Sequence, residues 1–356
     1  MMTPGFHRRF PVGVLFALLA AVLFGASTPF SKTLLKEVDP ILLAGLLYLS
    51  AGSGLTIWRW FRLRLGSDAS REANLTRIDL PWLAGATLSG GIIGPALLMV
   101  GLAQTPASTA SLLLNLEGVF TALLAWFIFK ENFDHRIALG MAAITGGGLC
   151  LSWTGKPELD VPWGALAIIG ACLAWGIDNN LTRKVSANDP LQIAAAKGFF
   201  AGIVNMAAAI AMGAELPEVP TIVIAALIGL LSYGVSLSLF VLALRRLGTA
   251  RTGAYFSVAP FVGVTISVVT LGDRVTLPFI VAAALMGLGV WLHLTERHEH
   301  EHWHVPILHD HGHCHDEHHQ HEHDGCLSPD ESHSHQHAHS RMLHCHPHYP
   351  DIHHRH

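Results

Sequence analysis

Apolar runs long enough to cross a bilayer recur along most of the chain. A membrane-spanning helix needs about 20 largely apolar residues. Such runs occupy residues 11–35, 40–61, 80–103, 106–129, 135–154, 163–183, 190–212, 219–243, 250–271 and 276–294. Turn and charge signals separate them, among them Asp39-Pro40, Gln104-Thr105-Pro106, Lys130 to Asp134, Asp189-Pro190 and Gly272-Asp273-Arg274. The pattern predicts an all-α integral membrane protein with ten transmembrane helices. His7-Arg8-Arg9 ahead of the first run also suits a secretory leader, but the run outlasts a leader's usual length and has a counterpart later in the chain.

That counterpart belongs to an internal repeat. Phe24-Gly25 matches Trp175-Gly176 and Asp39-Pro40 matches Asp189-Pro190, about 150 residues on. Gly118 matches Pro260 and Glu131 matches Asp273, 142 residues on. The difference falls where the first repeat has a basic loop, near residues 62–79, that the second lacks. Five crossings per repeat is an odd number, so the second repeat is inverted relative to the first. Two inverted five-helix repeats place a substrate site near the midplane and suit alternating access.

Charge sharpens the division. Residues 296–356 hold eleven acidic and three basic side chains, and the preceding 295 hold fifteen and nineteen, net charges of −8 and +4. Over the whole chain 51% of residues are hydrophobic and 13% charged, against about 25% charged in soluble domains. Alternating sides from a cytosolic N-terminus puts fifteen Lys and Arg residues inside and only Lys32, Lys36, Lys156 and Arg274 outside. By the positive-inside rule both termini are expected in the cytosol, with a bacterial inner membrane as the setting. The parts are a cytosolic N-terminus (1–10), repeat one (11–154), a linker (155–162), repeat two (163–295) and a cytosolic histidine-rich tail (296–356) expected to be disordered. The five cysteines suggest no disulfide framework.

The run from Leu112 through Asn115-Leu116-Glu117-Gly118 to Lys130-Glu131 resembles the drug/metabolite transporter superfamily, EamA type. Leu173-Ala174-Trp175-Gly176-Ile177-Asp178-Asn179-Asn180 and the Glu131/Asp273 pair add to the likeness, which covers about residues 12–294. The resemblance implies ten helices, two repeats and secondary transport, often export of metabolites, with no catalytic signature to carry over.

Ionisable side chains inside spans mark candidate pathways. Glu117 falls in the middle of the fourth segment, just after Asn115. Asp178 lies in the sixth beside Asn179, and Lys197 in the seventh. A carboxylate there could bind a cation or a proton; a structural ion pair of Glu117 or Asp178 with Lys197 or Arg183 is the plainer alternative. Ser108, Ser111 and Asn115 form one helical stripe, helix glue or pathway lining. Glu117 stands about 200° from Asn115 around the helix, so the two do not share one cavity by default. Gly90, Gly91, Gly94, Pro95, Pro29 and Pro260 would loosen their helices or pack them closely. Trp58, Trp60, Trp82, Trp153 and Trp163 read as interface anchors.

Twenty-two of the 25 histidines lie in the tail. The candidate metal ligands are His298, His300, His302 and His304, then His309, His311, His313, Cys314 and His315. They continue with His318, His319, His321, His323 and Cys326, then His333, His335, His337 and His339, and end with His344, Cys345, His346 and His348. Imidazole and thiolate suit Ni, Co, Zn and Cu ions, and no fixed zinc-finger spacing is present, so several sites are expected and no required cofactor. The leading substrate is a divalent transition metal (Ni, Co or Zn) exported from the cytosol. The alternatives are an amino-acid or metabolite exporter whose tail regulates or stores metal, and a membrane-anchored metal sensor without transport. No nucleophile, phosphate loop or nucleic-acid motif appears, and the oligomeric state stays open.

Overall fold

The computed structural model describes residues 12–64, 75–129, 135–152, 163–185, 188–247, 252, 255–295, 299–303, 308–313, 333–338 and 343–347. Ten helical segments stand where the apolar runs predict them. Helix 1 is Val12–Leu34, helix 2 Pro40–Arg64 and helix 3 Leu80–Gln104. Helix 4 comprises Ala107–Leu113 and Leu116–Phe129, helix 5 is His135–Ser152 and helix 6 Trp163–Thr182. Helix 7 is Pro190–Ala211, helix 8 spans 219–247, helix 9 is Ala259–Leu271 and helix 10 Leu277–Leu294. Seven are long and apolar enough to cross a membrane by themselves, and helices 9 and 10 are shorter apolar helices.

Side-chain bonds at the helix ends show the alternation. Lys32 reaches the carbonyls of Leu102 and Ala103, and Asp273 accepts from the Ser108 amide, which gathers the ends of helices 1, 3 and 9 with the start of helix 4. At the opposite end Arg59 bonds Asp189 and Asn188 bonds Asp79, joining the end of helix 2, the start of helix 3 and the start of helix 7. Arg136 meets the Thr295 carbonyl, so helix 5 starts where helix 10 ends. The end carrying Arg59 is the basic end of the protein.

The repeat is written into the packing. Asp39 caps helix 2 through the amides of Ile41 and Leu42, and its mate Asp189 caps helix 7 through Leu191. Helices 2 and 7 cross so closely that a Cβ on Gly52 would strike the Phe199 amide and one on Gly202 the Leu49 amide. These contacts are mates of each other 150 residues apart. Helices 5 and 10 do the same: Gly147 lies on Met286 and the Ala282 carbonyl, Gly289 on Ile144 and the Gly140 carbonyl, an interval of 142. The Phe-Gly and Trp-Gly motifs have the same logic, since Gly25 seats the start of helix 9 and Gly176 the second half of helix 4.

Gly52→Ala should therefore destabilise the purified protein by about 1–3 kcal/mol, the usual cost of overpacking. Gly146→Ala, whose nearest foreign atom is at 4.0 Å, should be neutral. Thermal unfolding in detergent separates the two, and equal stability of both variants would refute the close crossing.

Breaks occur at equivalent places in the two repeats. Helix 4 is interrupted by a turn at Leu114–Asn115 and the chain before helix 9 by one at Ser257–Val258. Pro260 follows that second turn as an early residue of helix 9, while Pro29 sits within an unbroken helix 1. Helix 3 contains a π-helical stretch at Thr87–Ile93, helix 8 one at Leu230–Val235 and helix 9 one at Ser267–Leu271. Such stretches free backbone carbonyls from the regular ladder.

In the tail, where the sequence predicts no fixed structure, four short strands are described. β1 (Glu299–Trp303) pairs antiparallel with β4 (Leu343–Pro347), and β2 (Leu308–His313) with β3 (His333–Ala338). Histidines at every second position match the two-residue period of a strand, so this segment can pair without an apolar core. His298, His304, Cys314, His315, His318, His319, His321, His323, Cys326, His339 and His348 lie outside the described residues.

Candidate substrate pathway

Helix 6 ends in the polar turn Asp178-Asn179-Asn180, and this turn organises the site. Asp178 is buried and accepts both of its strong bonds from Lys197 Nζ of helix 7, at 2.7 Å for Oδ2. Thr182, one turn on, donates to Asp178 at 2.8 Å and accepts from Lys197 at 3.3 Å. The charges thus cancel within a closed triad. Helix 3 presses against it through Gly90, where any Cβ would collide with the Asp178 carboxylate. The ion-pair alternative holds for Asp178 with Lys197.

Glu117 stands differently. It occupies the first turn of Leu116–Phe129, just past the break, where the helix N-terminus favours a carboxylate. Its Oε1 accepts from Asn179 Nδ2 at 2.9 Å, and Asn179 also donates to Thr121 Oγ1 at 3.2 Å. Among the described residues no cation pairs with Glu117. Glu117 is half-buried, Asn179 and Gly118 are exposed, and a Cβ on Gly118 would meet nothing within 4 Å. These residues line a cleft, and Asn179 stands three residues short of the end of helix 6.

Asn115 is not part of that cleft. It is buried, donates to the Leu112 carbonyl at 2.9 Å and lies against Met286 Sδ at 3.9 Å. The structure therefore joins Glu117 with Asn179 and Asp178 with Lys197, and leaves Asn115 to the break itself. Arg183's side chain and Glu131 lie outside the described residues. Trp58, Trp60, Trp82 and Trp163 are exposed, as anchors should be, and Trp153 lies outside the described residues.

Several residues at the site escape a sequence reading. Tyr48 Oη and Trp175 Nε1 both donate to the Gly90 carbonyl, at 3.3 and 2.8 Å. Asn205 donates to the Gly91 and Ile92 carbonyls at 3.4 and 3.3 Å. All three bond carbonyls within the π-helical stretch of helix 3. Tyr48 also packs on Tyr233, with ring centroids 5.1 Å apart, and Tyr233 on Phe24 at 5.8 Å. The available signal is an aromatic residue with a polar tip placed mid-span, away from the interfaces where such residues usually sit.

Comparison with known proteins settles the family. The EamA-like transporter family matches residues 11–153 and 162–295, both repeats and most of the chain. The chain belongs to the EamA-like transporter family. An "uncharacterized transporter" of Methanothermobacter thermautotrophicus is 26% identical over 301 residues, covering 81% of this EamA-like chain and 88% of that protein. A "probable 4-amino-4-deoxy-L-arabinose-phosphoundecaprenol flippase subunit ArnE" of Pseudomonas fluorescens is 31% identical over 110 residues, 30% of this chain and 96% of that one. A solved structure described only as "crystal structure of protein" superposes with a TM-score of 0.59 at 17% identity, over 80% of this chain and 98% of that one. It shares the fold. This EamA-like protein is thus a multi-pass membrane transporter, and its relatives are transporters rather than enzymes.

Proposed function

We propose that the protein is a secondary exporter of a small amine-bearing solute, an amino acid or similar metabolite, which enters from the cytosol and meets Glu117. The observation that carries this is the state of that carboxylate. It lies in the cleft and accepts from Asn179, and among the described residues it forms no ion pair, Lys197 acting on it only from its place beside Asp178. A carboxylate in such a setting favours a positive charge, and an ammonium group supplies one. Asp178 is already neutralised by Lys197. Tyr48 lies close enough to interact electrostatically with both acids. The ArnE relative's name specifies a 4-amino sugar lipid, a molecule that also carries an amine. The positive-inside rule makes the basic end cytosolic, with both termini there, in a bacterial inner membrane.

The tail takes a second role. It binds Ni, Co, Zn or Cu ions and regulates or buffers them. Its strand register supports this: His309, His311 and His313 stand opposite His337, His335 and His333, and His300 and His302 opposite His346 and His344. Ending the chain after Glu296 should remove nearly all zinc retained by the purified protein in equilibrium dialysis. Undiminished zinc would place the metal elsewhere.

The second reading, Ni, Co or Zn efflux, is favoured by the tail and not by the membrane body. Among the described residues no group of three His, Cys, Asp or Glu is placed to hold a metal ion. Cellular Ni, Co and Zn should be the same with the full chain, the tail deletion and Asp178→Asn after correction for tail-bound metal. Metal efflux lost in Asp178→Asn but kept in the tail deletion would establish the second reading instead.

A further inference from the structure

The cleft reaches only one end, and repeat mates show it. Asn179 is exposed, while its mate Thr28 is 2% exposed; Glu117 is half-buried, while its mate Ala259 is 1% exposed. Positions equivalent by the inverted repeat are therefore open at the basic end and packed at the other. The packed half is nevertheless polar. Thr28 and Ser31 of helix 1 and Ser108, Ser111 and Asn115 of helix 4 are all buried there.

Two of these hydroxyls are anomalous. Among the described residues, Ser31 Oγ and Ser111 Oγ are the buried side-chain oxygens without a hydrogen-bond partner. They sit at one depth, three residues before the end of helix 1 and four after the start of helix 4, and these two segments are in contact. Buried polar groups are nearly always paired, and leaving one unpaired disfavours the state that buries it. Water entering this half would satisfy both.

Charged groups hold the same place closed. Lys32 Nζ donates to the Leu102 and Ala103 carbonyls at 2.7 and 3.1 Å, the last turn of helix 3. Helix 9 stops at Gly272, in the left-handed region at φ 69°, which brings Asp273 back to accept from the Ser108 amide at 2.8 Å. Asp273 is also near enough to act electrostatically on Lys32. The segment so fastened, Ala107–Leu113, is bounded by Thr105-Pro106 on one side and the turn at Leu114–Asn115 on the other.

We propose that Ser31 and Ser111 line the far half of the transport pathway, shut in this state, and that Lys32 and Asp273 are the latch that holds it shut. The two orphaned hydroxyls oppose closure, the latch bonds favour it, and the balance leaves the two states close in energy. Opening this half while the basic end closes completes the transport cycle that an inverted repeat allows. The inference rests on the family and the geometry, not on which solute is carried.

Maleimide labelling of Ser111→Cys in the purified full-length chain, read site by site by mass spectrometry, tests it without reference to solute or orientation. Labelling should be slow in the otherwise unchanged protein. It should rise about tenfold or more with Lys32→Met or Asp273→Asn, the effect of losing one charge-assisted bond. A reporter at Gly118→Cys should fall in the same variants, since the two ends do not open together. Ser31→Cys serves as a second reporter where Ser111→Cys does not fold. Unchanged labelling at both far-half reporters, or a rise at all three sites, would overturn the proposal, because the latter is general loosening rather than an exchange of open ends.

Discussion

Replacing Lys197 by methionine while keeping Asp178 is expected to cost about 3–5 kcal/mol, the penalty for stranding a buried charge. Asp178 is 7% exposed, and Lys197 donates to both of its carboxylate oxygens. Thr182 alone cannot neutralise it. Neutralising the survivor should recover much of the loss, so Lys197→Met with Asp178→Asn should be more stable than Lys197→Met alone. Gly90 gives the pair little room to adjust, because helix 3 already touches the carboxylate. Thermal unfolding in detergent reads the comparison. A single variant as stable as the double one would mean that Asp178 is not held as a charge in the folded protein.

Glu117→Gln should behave in the opposite way, leaving the fold intact and removing transport. A glutamine oxygen can still accept from Asn179, so the local bond of 2.9 Å has a replacement. What is lost is the charge that an ammonium group would meet. A hydrogen bond to a charged group contributes about 1.5–3 kcal/mol, which at 1.4 kcal/mol per tenfold lowers transport roughly 10- to 100-fold. Asn179→Ala should have a smaller effect, since it orients Glu117 without supplying charge. Efflux from cells preloaded with a labelled amino acid measures both, with thermal unfolding as the check on folding. Normal efflux in Glu117→Gln would remove this residue from the pathway.

How much of this was legible in the chain depends on the kind of contact. Apolar runs alone place all ten helices, because a bilayer-spanning helix is specified by its length and hydropathy. The repeat pairs were legible too, and the structure supplies their physical cause. Gly25 and Gly176 seat a crossing helix, and Asp39 and Asp189 cap one. The scarcity of charge inside spans leaves open whether Glu117 or Asp178 pairs with Lys197 or Arg183, and the structure joins Asp178 to Lys197. Sequence separated Glu117 from Asn115 by helical angle, and the break between them keeps them apart for a further reason.

What stayed hidden involves the backbone. Tyr48, Trp175 and Asn205 matter through the Gly90, Gly91 and Ile92 carbonyls, which lie in a π-helical stretch just ahead of Pro95, a residue with no N–H to give back to Gly90 or Gly91. Side-chain type does not reveal such a local change of winding. The glycines of helix 3 posed a choice between looseness and close packing, and here they serve both ends. Gly90 lies against Asp178 and Gly94 against Trp175, within or beside the irregular stretch. The orphaned hydroxyls of Ser31 and Ser111 were likewise invisible, since an unsatisfied group is recognised only when its surroundings are known. The Ser108-Ser111-Asn115 stripe showed the polarity and not its consequence.

Amine transport at Glu117 is best tested by exchange in proteoliposomes. Full-length protein should exchange at least one radiolabelled amino acid or simple amine from a broad panel, and Glu117→Gln should exchange it roughly 10- to 100-fold more slowly. Exchange of radioactive nickel or zinc by the tail-deleted chain, with no organic solute moved, would contradict the assignment and make the metal the cargo.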